Sequence, residues 1–187
     1  MSDSTNELAR LANDAYVNRS KEARSKEAIG IDGDDYKILA VANAPETGYQ
    51  GTAYRRLDTR DVVIAHRGTE KLFTDFRDAL TDLGMVTRAT NQQLDAAMAF
   101  TQRVEAIAEK LAQKEGHALR ISITGHSLGG TLAQVTAARH GLPAETFNAF
   151  GASSLSLNRY GVDAHAPHPN ITNHRRATDL VSAASPH

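Results

Sequence analysis

Ser127 sits at the centre of Ile121-Ser122-Ile123-Thr124-Gly125-His126-Ser127-Leu128-Gly129-Gly130. Gly125, Ser127 and Gly129 spell G-x-S-x-G, the pattern of a serine lifted on a tight strand-to-helix turn. Such a turn brings the backbone close to itself, so the residues two before and two after the serine must be small. Ala118 to Thr124 alternates and is β-branched, as a strand would be. Leu128 to Arg139 is rich in Ala and Leu, as a helix would be. A glycine-rich turn of this kind can also hold a phosphate at the helix N-terminus. Phosphate loops, however, favour several glycines before the helix and a lysine near its start. The chemistry suggested is nucleophilic attack by a serine hydroxyl.

That hydroxyl is a weak nucleophile at neutral pH. It needs a histidine to take its proton, a carboxylate to orient the imidazole, and donors for the oxyanion. The Leu128 N–H lies at the start of the following helix and can donate to the oxyanion. A second donor is expected from a loop after an earlier strand. His66-Arg67-Gly68-Thr69-Glu70 follows the strand at Asp61, and its glycine permits an unusual backbone.

Together, His66-Arg67-Gly68-Thr69-Glu70 and Thr124-Gly125-His126-Ser127-Leu128-Gly129-Gly130 resemble the class 3 lipases of the α/β-hydrolase fold. The resemblance runs over roughly residues 36 to 183, and its specific motifs lie in three short blocks. It implies that Thr69 supplies an oxyanion donor. The family usually has Phe where this chain has His66, a departure expected to change the pocket lining. Its Asp-Trp pair is matched only by Asp75-Phe76. The segment Asn170 to Val181 resembles the family's strand leading into D-x-V, which implies Asp179 as the catalytic acid.

The family's order is Ser, Asp, His. Eight residues follow Asp179, and the histidine among them is the terminal His187. Eight extended residues reach about 27 Å, so His187 is within range of the serine, although chain ends are poorly tied down. The expectation is therefore a base at His187, or on a C-terminal segment beyond it or in another chain. His126 is expected to pack beside the nucleophile without acting as base. His165, His168 and His174 fall in or beside a Pro-rich loop with no strong third ligand, so no metal is expected. His117 and His140 lie near helix ends, where they favour the dipole.

The elements that must position these residues follow from periodicity. Thr5 to Tyr16 reads as an amphipathic helix, with Ser4 and Glu7 as a capping box. Residues 18 to 35 read as a loop. Tyr36–Ala42, Thr52–Leu57 and Asp61–His66 read as strands, the antiparallel opening of a mixed sheet. A short helix is expected over Phe73–Leu80 and a long one over Asn91–Glu115, closed by Gly116. Glu145–Phe150 and Asn170–Arg175 read as the last strands, with a loop over 151–169. The fold class implied is a single α/β-hydrolase domain over residues 1–187, a three-layer sandwich with a mostly parallel sheet.

Length and charge set bounds. With 187 residues the chain can bury a substantial core. A net charge of −1, from 21 basic and 22 acidic residues, gives no electrostatic case for nucleic acid. Cysteine is absent, which rules out disulfides and a thiol nucleophile. The polar start, Met1 to Glu7, suggests a cytoplasmic protein or one exported without a cleaved signal. No cofactor is expected. The family resemblance implies an acyl glyceride or glycerophospholipid substrate, peripheral membrane contact, and an inhibitory or completing partner. The start of the chain and Asp179-Leu180-Val181-Ser182 also resemble the lipase modules at the front of bacterial antibacterial effectors, which implies phospholipase A1 activity. Two alternatives stay open: a split or non-catalytic module of the same fold, and a thioesterase or acyltransferase.

Overall fold

The computed structural model describes residues 5–68, 83–150, 155, 157–163 and 166–175, with backbone only for 83–87. Seven strands form one sheet in sequence order: β1 (Ala28–Ile31), β2 (Asp34–Ala44), β3 (Tyr49–Arg56), β4 (Val62–His66), β5 (Ile121–His126), β6 (Ala144–Phe147) and β7 (Ile171–His174). The pairings β1 to β4 are antiparallel and those from β4 to β7 are parallel. The expected mostly parallel sheet thus has as many antiparallel as parallel pairings among the described residues. The reason lies in the connections. Those within β1–β4 are hairpin-length, which permits only antiparallel return, whereas helices join β4 to β5 and β5 to β6.

Four described helices flank the sheet: α1 (Thr5–Asp14), α2 (Ser20–Ser25), α3 (Leu83–Glu115) and α4 (Leu128–His140). β4 shows how two cores are made from one sheet. Its side chains alternate, so Val62 and Ile64 join α3 and α4 in one core with Leu94, Val104, Leu128 and Leu132. Val63 and Ala65 face the other side and join Leu8, Leu11 and Ala15 from the α1 segment. This is the three-layer arrangement expected for the fold class.

The stretch expected as a loop over 18–35 contains α2 and β1. The sequence signal for β1 is Ile31-Asp32-Gly33-Asp34, a two-residue hairpin connection. Asp32 and Gly33 both take positive φ, 48° and 93°, as the twist of a tight hairpin demands. α3 begins eight residues earlier than the expected Asn91. Of the capping-box pair, Ser4 lies outside the described residues, as does the helix expected over Phe73–Leu80.

Glu7 is buried at 1% exposure, an expensive place for a carboxylate. It accepts from the Tyr36 hydroxyl at 2.7 Å and from Arg56 at 2.6 Å. Arg56 also binds Asp34 at 2.9 Å and the exposed Asp58 at 2.6 Å. Burial, with Glu7 alongside, pushes the Tyr36 hydroxyl above its ordinary pKa. The cluster ties α1 to β2 and β3. Arg56→Ala is expected to cost about 3–5 kcal/mol in denaturant unfolding, because it strands the Glu7 carboxylate without that cation. Asp58→Ala, at the exposed end of the same cluster, should leave the unfolding midpoint nearly unchanged, because solvent screens that pair.

Candidate active site

The parallel strands end together. Their register pairs His66 with Gly125, His126 with Phe147, and Phe147 with His174. Ser127 follows β5 at this edge and begins α4. Its backbone is held at φ 57°, ψ −125°, a conformation that costs a non-glycine residue on the order of 1–3 kcal/mol. Two bonds hold it there. The Ser127 N–H donates to the Phe147 carbonyl at 3.0 Å, and the Ser127 carbonyl accepts from Thr131 N–H at 3.1 Å. Ser127 is 4% exposed. The Leu128 N–H lies in the first turn of α4, whose N–H groups have no acceptor within the helix. The Leu128 side chain is fully buried and anchors that turn.

Each glycine of the turn is demanded by contact. A Cβ at Gly125 would lie 2.5 Å from the Gly129 carbonyl carbon and 2.8 Å from the Gly130 nitrogen. One at Gly129 would lie 2.8 Å from both the Arg67 carbonyl carbon and the Gly68 nitrogen, and would collide with the His66 carbonyl oxygen. The elbow is therefore packed backbone-to-backbone against the segment that leads to Thr69. Gly68 is also a contact glycine. Its φ is not positive, contrary to the expected unusual backbone; a Cβ there would lie 2.6 Å from the Tyr16 hydroxyl and 3.1 Å from the His126 carbonyl.

The departure from Phe at His66 is expected to change the pocket lining, but the ring is enclosed in the core. It is fully buried on the same face of β4 as Val62 and Ile64. Its Nδ1 lies 2.8 Å from the Tyr49 hydroxyl and its Nε2 3.0 Å from Thr136 Oγ1. Thr136 Oγ1 in turn lies 3.0 Å from the Leu132 carbonyl. One proton arrangement satisfies all three groups. Tyr49 donates to Nδ1, the Nε2–H donates to Thr136, and Thr136 donates to Leu132. That is a neutral imidazole. Burial, with a smaller repulsion from His140, lowers the His66 pKa from 6.5 to about 3.

His126 faces the α1 side of the sheet. It lines a cleft of about 250 Å³ with Asn13, Phe147, Asn148, His174 and Arg175. His174 stacks on Phe147 with ring centroids 5.2 Å apart and binds Glu145 at 2.8 Å. His140 closes α4 and pairs with Glu105 at 2.6 Å. His168 faces the Asp163 carbonyl at 3.1 Å, and His165 lies outside the described residues. So do Thr69, Asp179 and His187. Each chain leading to Thr69 or Asp179 leaves the sheet at the edge that carries Ser127, from Gly68 and from Arg175 beyond β7. The structure thus assembles Gly125, His126, Ser127, Leu128 and Gly129 with Arg67 and Gly68. Sequence reasoning missed Tyr16 and Asn148. Asn148 has a positive φ of 50° and donates its N–H to the His174 carbonyl at 2.8 Å; an Asn just past a strand is a signal for this conformation.

A family model described as a Tle-like phospholipase domain matches residues 7–184. The extracellular phospholipase A1 of Serratia liquefaciens is 36% identical over 165 residues, covering 85% of this chain and 46% of that protein. The chain therefore spans less than half the length of that curated relative. Among solved structures, the Rhizomucor miehei lipase propeptide complex superposes with a TM-score of 0.59 at 16% identity, covering 100% of this chain and 65% of that one. Lipase II from Rhizopus niveus gives 0.59 at 15% identity, covering 96% and 74%. A triacylglycerol lipase from Penicillium expansum gives 0.58 at 16%, covering 95% and 70%. At these identities the likeness establishes the α/β lipase fold.

Two outcomes test this geometry. Gly129→Ala should lose more than about 3 kcal/mol of stability in urea unfolding, since the new methyl meets backbone that cannot yield. His66 gives a pH signature. The unfolded chain takes up a proton below about pH 6.5 that the native ring refuses until about 3. Its contribution is therefore full above 6.5 and falls as pH drops through that window, by up to about 1.4 kcal/mol per unit. His66→Phe should be less stable than wild type at pH 7, where it loses both hydrogen bonds, and the gap should narrow at pH 4.5.

Proposed function

We propose that this chain, which belongs to the Tle-like phospholipase domain family, hydrolyses carboxylic esters of lipids with Ser127 as nucleophile. The observation that carries the reading is the Ser127 backbone, held in a strained conformation at the apex between β5 and α4. In this reading Ser127 Oγ attacks the ester carbonyl and its proton passes to the base. The oxyanion is held by the Leu128 N–H and by Thr69. Collapse of the intermediate breaks the ester C–O bond and returns the proton to the departing alcohol, leaving an acyl-enzyme. Water then attacks that acyl group, again through the base, and releases the fatty acid. Asp179 orients the base, which is His187 or a histidine supplied by further chain or a partner.

Glycerophospholipid is the substrate class, with cleavage of phospholipase A1 type. The Serratia protein's description supports this, as does the family model. Action outside the producing cell, at a membrane surface and as an antibacterial effector, completes the proposal. The Leu128 donor and the enclosed serine suit an ester carbonyl delivered from a lipid layer, because exclusion of water strengthens the oxyanion hydrogen bonds.

The test is a digest of phosphatidylcholine vesicles by the full-length protein, with a fluorophosphonate probe run in parallel. Lysophospholipid should form and Ser127 should be labelled, and Ser127→Ala should abolish both. Intact phospholipid and no labelling by well-folded protein would reject the reading. In the same assay His187→Asn should reduce turnover by about 10³-fold or more if the base is His187. Unchanged turnover assigns the base elsewhere. Preference for an acyl thioester over a p-nitrophenyl ester would favour the thioesterase alternative.

A further inference from the structure

Three parallel strands end in a row on the α1 side of the sheet. Thr124 faces α1, since its hydroxyl lies 3.1 Å from the Leu8 carbonyl, and His126 two residues on shares that face. The register sets His126 beside Phe147 and Phe147 beside His174. The row is therefore imidazole, phenyl, imidazole, one ring from each strand. Phe147 and His174 stack at 16° with centroids 5.2 Å apart. Glu145 accepts from His174 Nε2 at 2.8 Å and fixes that ring in turn.

α1 stands off this row. Ala9, Ala12 and Asn13 fall at i, i+3 and i+4, so they share one helix face, and two of the three are too small to fill the gap. The result is the cleft of about 250 Å³. Asn148 and Arg175, which follow Phe147 and His174 in the chain, complete its lining. Asn148 holds a positive φ of 50°, a costly conformation of the kind that gathers at functional sites. Among the described residues the lining carries a guanidinium, two imidazoles and two carboxamides, and no carboxylate. Asp14, next to Asn13, is engaged by the Tyr54 hydroxyl at 2.7 Å and by Arg19 at 3.0 Å.

We infer that this cleft is a phosphate subsite, taking the phosphodiester of a glycerophospholipid whose ester carbonyl lies at Ser127. This rests on the serine hydrolase reading above. The lining favours an anion, because it offers N–H donors and a fixed positive charge with no opposing carboxylate. A guanidinium fork matches two phosphate oxygens at once. The cleft is polar, and it is small beside ordinary ligand pockets of about 300–1,000 Å³, which suits a headgroup rather than an acyl chain. Its place also fits. The carboxyl ends of parallel strands are where open α/β sheets bind ligands. His126 and Ser127 are neighbours, with Cα atoms about 3.8 Å apart, and in a glycerophospholipid only the glycerol carbons separate the ester from the phosphate.

The experiment compares phosphatidylcholine with diacylglycerol, in the same detergent micelles, as substrates of the full-length protein. Arg175→Gln keeps a donor but removes the charge, and should lower the ratio of the two kcat/KM values, phospholipid over diacylglycerol, about 10- to 100-fold. His174→Gln should lower it about 3- to 10-fold. A second readout needs no turnover. With Ser127→Ala protein, glycerol 3-phosphate or a short-chain phosphatidylcholine should shift the His126 and His174 imidazole resonances, and adding Arg175→Gln should weaken that binding about fivefold or more. Shifts with phosphatidylcholine alone assign the cleft to the lipid headgroup; shifts with both probes show that the free anion suffices. The inference is overturned if folded Arg175→Gln protein keeps the wild-type ratio, if both substrates lose turnover equally, or if neither probe shifts either ring. Should any of these hold while diacylglycerol is still hydrolysed through Ser127, the subsite falls and the hydrolase reading stands. Should neither lipid be hydrolysed and Ser127 resist the fluorophosphonate probe, both fall.

Discussion

The helix that follows Ser127 crosses the end of β4 so closely that a methyl at residue 129 would stand 2.8 Å from the Gly68 nitrogen and nearer still to the His66 carbonyl. Two backbones in direct contact leave little freedom to either. β5 cannot enter α4 by a gentler path, because the distance between the elbow and the end of β4 is set by that contact. The positive φ at Ser127 is the conformational consequence. A chain under this restriction turns within one residue, and the side chain at the turn projects from the sheet edge. The strain is offset by the burial of Leu128 and Leu132, which fix the first turn of α4 in the core.

The antiparallel half of the sheet serves the parallel half. β1 to β4 form a run of hairpins that need no helices between them, and they carry the charged cluster around Arg56 that binds α1 in place. α1 then lies across β5, where the Thr124 hydroxyl sits 3.1 Å from the Leu8 carbonyl and 2.8 Å from the Glu145 carbonyl. A side chain three residues before Ser127 is thus held between a helix and a neighbouring strand. Both faces of β5 are fixed before the chain reaches Ser127.

Much of this was legible in the sequence, for reasons that can be given residue by residue. The elbow was visible because its contacts demand glycine at 125 and 129, and a demand for glycine is a demand written in one letter. β4 was visible through its apolar run from Val62 to Ala65, β5 through the alternation of Ile121 and Ile123 with Ser122 and Thr124, and α4 through its Ala and Leu content. β1 was missed because a four-residue strand at the sheet edge buries too little to show a pattern, and the Asp32-Gly33 turn was outweighed by the charges around it. Tyr16 was missed because its contact with Gly68 spans most of the antiparallel sheet in sequence and has no periodicity. The His66 ring was expected at the pocket because its motif leads to the elbow, but the alternation of β4 sends it into the core between Tyr49 and Thr136.

That alternation separates two duties within one short motif. The His66 carbonyl touches the elbow, and any residue would supply the same carbonyl. Its imidazole fills a closed slot between Tyr49 and Thr136, on the far side from the cleft that His126 lines. The first letter of the motif is therefore a packing letter. A search that insists on an aromatic hydrocarbon there selects for slots whose walls need no hydrogen-bond partner, whereas here Tyr49 and Thr136 share hydrogen bonds with the ring. It does not select for chemistry, and it would pass over chains whose reactive serine is equally well placed.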